Sequence, residues 1–466
     1  MQERGAAAME NEKNLDDILQ EILEYIEGKK YIQARNLLVS NNEVDIAEII
    51  EGIAEELGIE KAIIMFRTLP KDVSVEVFSY LDTEEQLKII NGITDKEIKF
   101  IIDEMAFDDM IDVLDELPAN LVDKILEKTP KEERKLINTF LNYPDTCAGS
   151  LMTPDYISLK KNMTVAEALA HIKQTGMDSE TIYTCYVKEQ GRKILGIVSL
   201  RTLVVSDGDE KIYDLMREDF VCVNVYDDQE AVSEVFKKYG FLAVPVVDNE
   251  KRLVGIITVD DIFDVIDEAA TEDFERMAGV MASSDQEYLD TSVWKHIKHR
   301  LPWLFVLMCS YVITGGIIRS FEDSLSKVIS LVAYMPMLMG TGGNSGAQSA
   351  TLIIRGMALN EIAMKDAGRV IWKEMRISFI IGVLLSSLNF ARICWFDGEG
   401  PVIAFTVCIS MIIIVILAKS IGSMLPMLAK RVGIDPALMA NPMIASITDM
   451  VSVITYFLMA RVMLGI

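Results

Sequence analysis

PMLMGTGGNSGAQSATL, residues 336–352, sets amides, hydroxyls and glycines inside a run that is otherwise apolar from about 328 to 354. A bilayer-spanning helix needs roughly 20 such residues, so the run is long enough to cross. Read as a helix, Asn344, Gln348 and Thr351 recur at i, i+4 and i+7 and share one face. Gly342, Gly346 and Ala350 form an adjoining stripe of small residues, the pattern that lets helix backbones approach closely in lipid. A helix-packing seam accounts for the glycines alone. A polar pathway lining accounts for the glycines and the amides together, since irregular polar backbone is tolerated at membrane depth only in protein or facing water.

Working outward, five apolar spans are expected, at about 301–318, 328–354, 377–396, 402–428 and 438–464. An odd number places the two ends of the chain on opposite sides. With residues 1–299 inside, the inner stretches carry Lys295, Lys298, Arg300, Arg355, Lys365, Arg369, Lys373, Arg376, Lys430 and Arg431. The outer ones carry only Arg319, Lys327, Arg392 and Arg461, so the positive-inside rule is met and the C-terminus is expected outside. The last span carries Asp449 near its middle. No basic residue is read at membrane depth to neutralise it, and an intramembrane carboxylate is a candidate functional group. Ala445, Asp449, Ser452 and Tyr456 follow at i, i+4, i+7 and i+11, a stripe suited to a water-filled lumen. Asn441-Pro442, and Pro426 after Gly422-Ser423, free backbone carbonyls as further oxygen ligands. A protonated acid bonding a neighbouring helix and a proton relay are the competing roles for Asp449. A twofold dimer would present two copies each of Asp449 and Asn344, a donor set that suits a largely hydrated Mg²⁺.

Charge is unevenly placed. Residues 1–299 hold 32 Lys and Arg against 62 Asp and Glu, and residues 300–466 hold 13 against 9. Such acidity excludes nucleic acid as a partner and creates self-repulsion that cations relieve. The six cysteines form no CxxC pair, which speaks against zinc or a disulfide framework and for a reducing compartment. MQERGAAAMENEKN lacks an apolar core, so no signal peptide is expected.

Residues 15–144 repeat a short helical pattern with starts near Lys71, Thr83, Thr94, Phe107, Pro118 and Pro130, a period of about 12 residues. Thr83 with Gln86 and Thr94 with Glu97 fit a capping box. Helices this short must stack into a superhelical array to bury their apolar stripes. Asp108, Asp109 and Asp112 crowd one of them, and Asp260, Asp261, Asp264, Asp267, Glu268, Glu272 and Asp273 crowd another further on. Residues placed at i, i+4 and i+7 repel when all are acidic, a cost that a bridging divalent cation removes.

Residues 145–270 alternate β runs and helices twice over: Leu151-Met152 matches Leu215-Met216, Glu167-Ala168 matches Glu230-Ala231, and Gly196 to Ser199 matches Gly255 to Thr258. This duplication resembles a tandem pair of cystathionine-β-synthase (CBS) domains. The resemblance implies an adenine nucleotide, ATP for example, with Thr258 and Asp261 of the second copy on its ribose and phosphates. In the first copy Thr202 stands in place of that acid. No GxxxxGK[ST] loop is present, and neither is HExxH, so no enzymatic activity is expected.

PMLMGTGGNSGAQSATLIIRG, GIDPALMANPMIASITDM and the CBS pair together resemble the MgtE family of magnesium transport proteins. The resemblance implies a homodimeric Mg²⁺ channel of the cell membrane, gated closed by cytosolic Mg²⁺, with Mg²⁺ both permeant and regulatory. It implies Asp449, Asn344, Asn441 and Ala445 at the pore, and Asp108, Asp112, Asp228, Glu230, Asp261, Asp264, Glu272 and Asp273 as sensor acids. Gly240 stands where the family often has an acid, and Ala347 replaces a common Asn. The expected organisation is multidomain: a disordered 1–14, an all-α superhelical N domain 15–144, an α/β CBS pair 145–270, a connecting plug helix 271–299 and an α-helical membrane domain 300–466. Transport of Co²⁺ or Mn²⁺, and ion-coupled secondary transport, are the alternatives. A CBS-regulated anion channel is excluded on the reading that no basic residue lies at membrane depth.

Overall fold

In the computed structural model the described residues are 2–189, 191–281, 288, 291–322, 328–359, 361–439 and 441–465, without the side chains of 2–14, Lys124, Lys128, Met439 and Asn441. The chain divides into two compact units, Met1–Ile266 and Asp267–Ile466.

The first unit opens with a helical array. Its helices are α1 (Gln2–Glu27), α2 (Tyr31–Leu38), α3 (Glu43–Leu57), α4 (Ile59–Phe66), α5 (Lys71–Ser79), α6 (Thr83–Gly92), α7 (Asp95–Glu104), α8 (Phe107–Glu116), α9 (Ala119–Lys128) and α10 (Lys131–Phe140). The backbone of α1 includes the segment expected to be disordered; Ala6, Ala7, Ala8, Glu10 and Glu12 are all good helix formers or tolerated in helices. The short helices end where the pattern ends, and each begins within a residue of its expected start. Thr94 and Glu97 make the reciprocal capping box, an interaction of about 1 kcal/mol. The Thr83 box does not form. Asp82, in extended conformation, is the residue that enters α6, and Gln86 turns inward to donate to the Phe78 carbonyl at 3.0 Å. Ile49, Ile50, Ile53, Met65 and Phe78 lie at the centre of the array, each contributing about 1.5–3 kcal/mol by leaving water.

Two three-stranded sheets follow with the same topology. β1 (Tyr156–Lys160), α11 (Val165–Thr175), β2 (Thr181–Lys188), β3 (Ile194–Ser199), α12 (Leu200–Val205) and α13 (Ile212–Leu215) make the first. β4 (Val223–Asn224), α14 (Gln229–Tyr239), β5 (Ala243–Val247), β6 (Leu253–Thr258) and α15 (Val259–Ala278) make the second. In each, the first strand pairs parallel to the second and the second antiparallel to the third. The core of the helical array continues through Phe140, Ala148 and Met152 into Val244, Val246 and Ile257 of the second sheet. Gly240 ends α14 at φ +65°, a left-handed position that suits glycine.

In the second unit the connection expected to be one helix to His299 is two. α15 stops at Ala278, Gly279 takes φ +73°, and α16 (Val293–Ser320) starts afresh with the Ser292 side chain accepting from the Lys295 amide. The basic WKHIKHR therefore belongs to α16 itself. α17 (Ser330–Ala358), α18 (Ala367–Arg392), α19 (Pro401–Val432) and α20 (Asn441–Leu464) complete the unit. Among the described residues, Val293–Ser320, Met364–Asp397, Pro401–Val432 and Pro442–Leu464 are long and apolar enough to cross a membrane. α17, at 29 residues, has the length but carries the polar GTGGNSG centre. It packs between α19 and α20, where Leu331, Leu338, Met411, Val415, Val453 and Phe457 form the core.

Candidate functional site

Glycines set how close α17 comes to its neighbours. A Cβ on Gly342 would stand 2.5 Å from Ser452 Oγ, one on Gly343 3.7 Å from Ala445 Cβ, and one on Gly346 3.1 Å from Thr448 and 3.2 Å from the Ala418 carbonyl. A methyl on Gly422 of α19 would collide with the Gly346 backbone. Gly342, Gly346 and Ala350 are thus a packing seam. Pro426 in α19 has no N–H to give to the Gly422 carbonyl four residues earlier, so that oxygen loses its helical donor inside the seam.

The amides lie on the other side of α17. Asn344 and Gln348 are exposed, with Ala347 and Thr351 half-exposed between and beyond them. On α20, Ala445 and Asp449 are half-buried, each one residue from a group that touches the glycine seam. Asp449 makes no hydrogen bond or ion pair among the described residues. The expected lumen stripe divides here: Ser452 is 1 % exposed against Gly342, and Tyr456 is buried, donating to the Leu331 carbonyl at 3.0 Å. Both are interior to the bundle, because the glycine seam draws that part of α20 onto α17. The Asn441 side chain lies outside the described residues, and Asn441-Pro442 opens α20 rather than breaking it.

One reading is overturned. Lys419, in the middle of α19, is a basic residue at membrane depth, 4 % exposed and 3.6 Å from Glu374 of α18. It points into the bundle rather than along the amide face, so Asp449 keeps its charge uncompensated. The missing-cation ground against an anion pathway therefore falls, while Lys419 itself is paired with Glu374.

In the first unit, acids from several elements meet. Asp108 and Asp109 open α8, Asp112 follows one turn on, and Asp260 and Asp261 open α15. Burial, then mutual repulsion, pushes the Asp108 and Asp109 carboxyls up to about 6 and that of Asp261 up to about 7. Asp112 and Glu180 border the same group, where desolvation among the clustered carboxyls, then repulsion by Asp108 and its neighbours, pushes them up to about 7. Asp108 Oδ1 is buried with no hydrogen-bond partner, an orphaned acceptor that a cation would satisfy. No trio of acidic, His or Cys side chains converges closely enough to grip a bare ion among the described residues, whereas a hydrated Mg²⁺ asks for only one or two direct carboxylates. Asp260, read in sequence as part of an acidic run a divalent cation would bridge, joins this group with Glu180 and Asp155, which the sequence reading did not assign to it and which only folding brings to α8.

The remaining expected sensor acids sit elsewhere. Asp228 is the N-cap of α14 and accepts from the Glu230 amide at 2.9 Å, so both open that helix. Asp264 lies one turn along α15 from Asp260. In the second unit Glu272 pairs with Arg276, which also pairs with Asp435. Burial and the neighbouring Asp435 hold the Asp273 carboxyl above its usual range. Asp435 was overlooked in sequence because it lies in a loop, within GIDPALMANP, without a periodic partner. Thr258 Oγ1 donates to Asp261 Oδ2 at 2.8 Å, and Ser199 Oγ stands 2.8 Å from Thr202 Oγ1 at the matching turn of the first sheet. The two turns share a helix-opening geometry; only the second offers a carboxylate.

Comparison with known proteins matches residues 335–459 to the family described as a divalent cation transporter, MgtE. Residues 41–146 match the MgtE intracellular N domain, and 148–207 and 212–268 match CBS domains. The chain is 34% identical over 451 residues to the magnesium transporter MgtE of Thermus thermophilus, covering 94% of this chain and 99% of that protein. It is 30% identical to the magnesium transporter MgtE of Bacillus subtilis, covering 95% of this chain and 96% of that protein. A crystal structure of the cytosolic domain of the Mg²⁺ channel MgtE in complex with ATP superposes with TM-score 0.50 at 30% identity, covering 53% of this chain and 99% of that one.

Proposed function

The chain belongs to the MgtE family of divalent cation transporters, and from that premise we propose that it carries Mg²⁺ into the cell and is closed by Mg²⁺ on the cytosolic side. The observation that carries the transport reading is Asp449, half-buried and uncompensated on the helix that packs against the glycine seam of α17, whose other side exposes Asn344 and Gln348. Apolar residues would suit lipid there; amides and a carboxylate suit a hydrated cation. A homodimer brings two such faces together and supplies a pair of carboxylates, with Ala445, Asn441 and freed carbonyls around the ion. The cytosolic units lie inside and the C-terminus outside, in keeping with the basic residues of the loops.

For gating, Asp108, Asp109, Asp112 and Asp261 are the acids best built to sense the ion. Their charged forms are disfavoured by burial and by one another, so bound Mg²⁺ lowers the energy of the arrangement that holds them close. α15 begins among these acids and continues to Glu272 and Asp273, the second group of proposed ligands with Asp435. Asp228, Glu230 and Asp264 are kept as weaker sensor candidates. An adenine nucleotide is proposed for the second CBS copy, where Thr258 and Asp261 form the turn; ATP in the related cytosolic domain supports it.

The test is flux. The full-length protein in liposomes is expected to pass Mg²⁺ without a proton or Na⁺ gradient, and to slow as Mg²⁺ rises on the cytosolic face. Flux that needs such a gradient would make it a coupled transporter, and Co²⁺ or Mn²⁺ flux exceeding that of Mg²⁺ would reassign the substrate.

A further inference from the structure

Lys419, Ser349 and Glu374 come from three different helices, α19, α17 and α18, and are 4 %, 0 % and 7 % exposed. Ser349 Oγ donates to Glu374 Oε2 at 2.6 Å, and Lys419 Nζ donates to Ser349 Oγ at 3.2 Å and stands 3.6 Å from Glu374 Oε2. A lysine at membrane depth usually reaches its ammonium toward the interface. Here it turns inward, and a well-packed apolar trio would fill the same space without the cost of desolvating two charges. The charges are therefore explained by what they hold rather than by packing.

What they hold is α17. Ser349 adjoins Gln348 and lies five residues beyond Asn344, about 7.5 Å along the helix. Lys419 adjoins Ala418, whose carbonyl faces Gly346, the same glycine against which Thr448, next to Asp449, is packed. The glycine seam and the apolar core at Leu331 and Leu338 fix how near α17 lies, and one residue of rotation would replace Asn344 and Gln348 on the exposed face by Ser345 and Ser349. Charge-assisted hydrogen bonds are short and directional, and this pair grips Ser349, a fully buried hydroxyl that such a turn must move.

We propose that Lys419, Ser349 and Glu374 form a clasp that sets the rotation of α17, and so positions Asn344 and Gln348 to discriminate among divalent cations. The three are positioning residues and do not touch the ion. The inference rests on the transport reading above. It is tested in the full-length protein in liposomes by the ratio of Mg²⁺ to Co²⁺ flux, with thermal unfolding in detergent measured alongside. Ser349→Ala and the neutral double variant Glu374→Gln with Lys419→Met leave no lone buried charge and are expected to assemble. Each is expected to lower the flux ratio by about 3- to 15-fold, the range of a membrane-buried hydrogen bond, with the melting temperature little changed. An unchanged ratio in both assembled variants overturns the clasp. Wild-type protein that passes no Mg²⁺ overturns the transport reading instead, so the two failures are told apart.

Discussion

Asp108, as the proposed sensor acid, would store a response to ions in a single side chain. Its carboxyl titrates at about 6 in the folded protein against 3.8 for a free aspartate, because it is buried and faces Asp109. The folded state thus binds a proton more tightly than the unfolded one. The resulting penalty is absent below about pH 4, grows between the two values and is complete above the higher one. Asp108→Asn removes the charge while keeping the shape. At pH 8 without Mg²⁺ it is expected to stabilise the protein by about 1–3 kcal/mol, an advantage roughly halved near pH 5 as the folded carboxyl takes up its proton, and to reduce the gain that added Mg²⁺ brings. Denaturant unfolding at the two pH values checks this; a destabilised Asp108→Asn at pH 8 would remove Asp108 from the sensor. Asp449 was legible in the sequence because a carboxylate amid VSVITYFLM has no apolar explanation. Lys419 was not, because a lone lysine in a strongly apolar run acquires meaning only when Glu374 arrives from another helix.

At the scale of elements, α17 is a seam on one face and the proposed lining on another, where Asn344 and Gln348 are exposed. Gly346→Ala would press a methyl against Ile444, Thr448 and the Ala418 carbonyl, and overpacking of this kind costs about 1–3 kcal/mol. A fall in melting temperature in detergent is expected, whereas a substitution at exposed Gly340, whose Cβ meets nothing within 4 Å, is expected to leave it unchanged. Equal effects at the two sites would deny the seam. The seam, the short helices of the array and the doubled sheet were readable because glycine spacing, capping residues and internal repetition are local signals. The break after Ala278 was not: the apolar and acidic pattern runs on past it, and only Gly279 at positive φ marks the bend. Nor was the inward turn of Ser452 and Tyr456, since helical periodicity says which residues share a face but not what that face meets.

For the whole molecule, an acidic half is joined to a membrane half, and protons and Mg²⁺ answer the same repulsion. Limited proteolysis of the full-length protein at pH 8 is expected to slow when millimolar Mg²⁺ is added. Near pH 5, where Asp108, Asp109 and Asp261 take up protons, cleavage without Mg²⁺ is expected to be slow already and Mg²⁺ to add little. Protection by Mg²⁺ that is as large at pH 5 as at pH 8 would place the sensor on other groups. The acids of the array and of α15 were each visible in the sequence as separate runs; that α8 and the start of α15 meet, with Glu180 and Asp155 beside them, is a product of the fold. The proposed transport pathway turns on α20. The most direct measurement is Mg²⁺ influx into liposomes carrying Asp449→Asn, a change that keeps size and shape and removes the charge. Influx is expected to fall about a hundredfold, or about 2.7 kcal/mol, with the melting temperature unchanged; influx equal to that of the wild type would contradict the account.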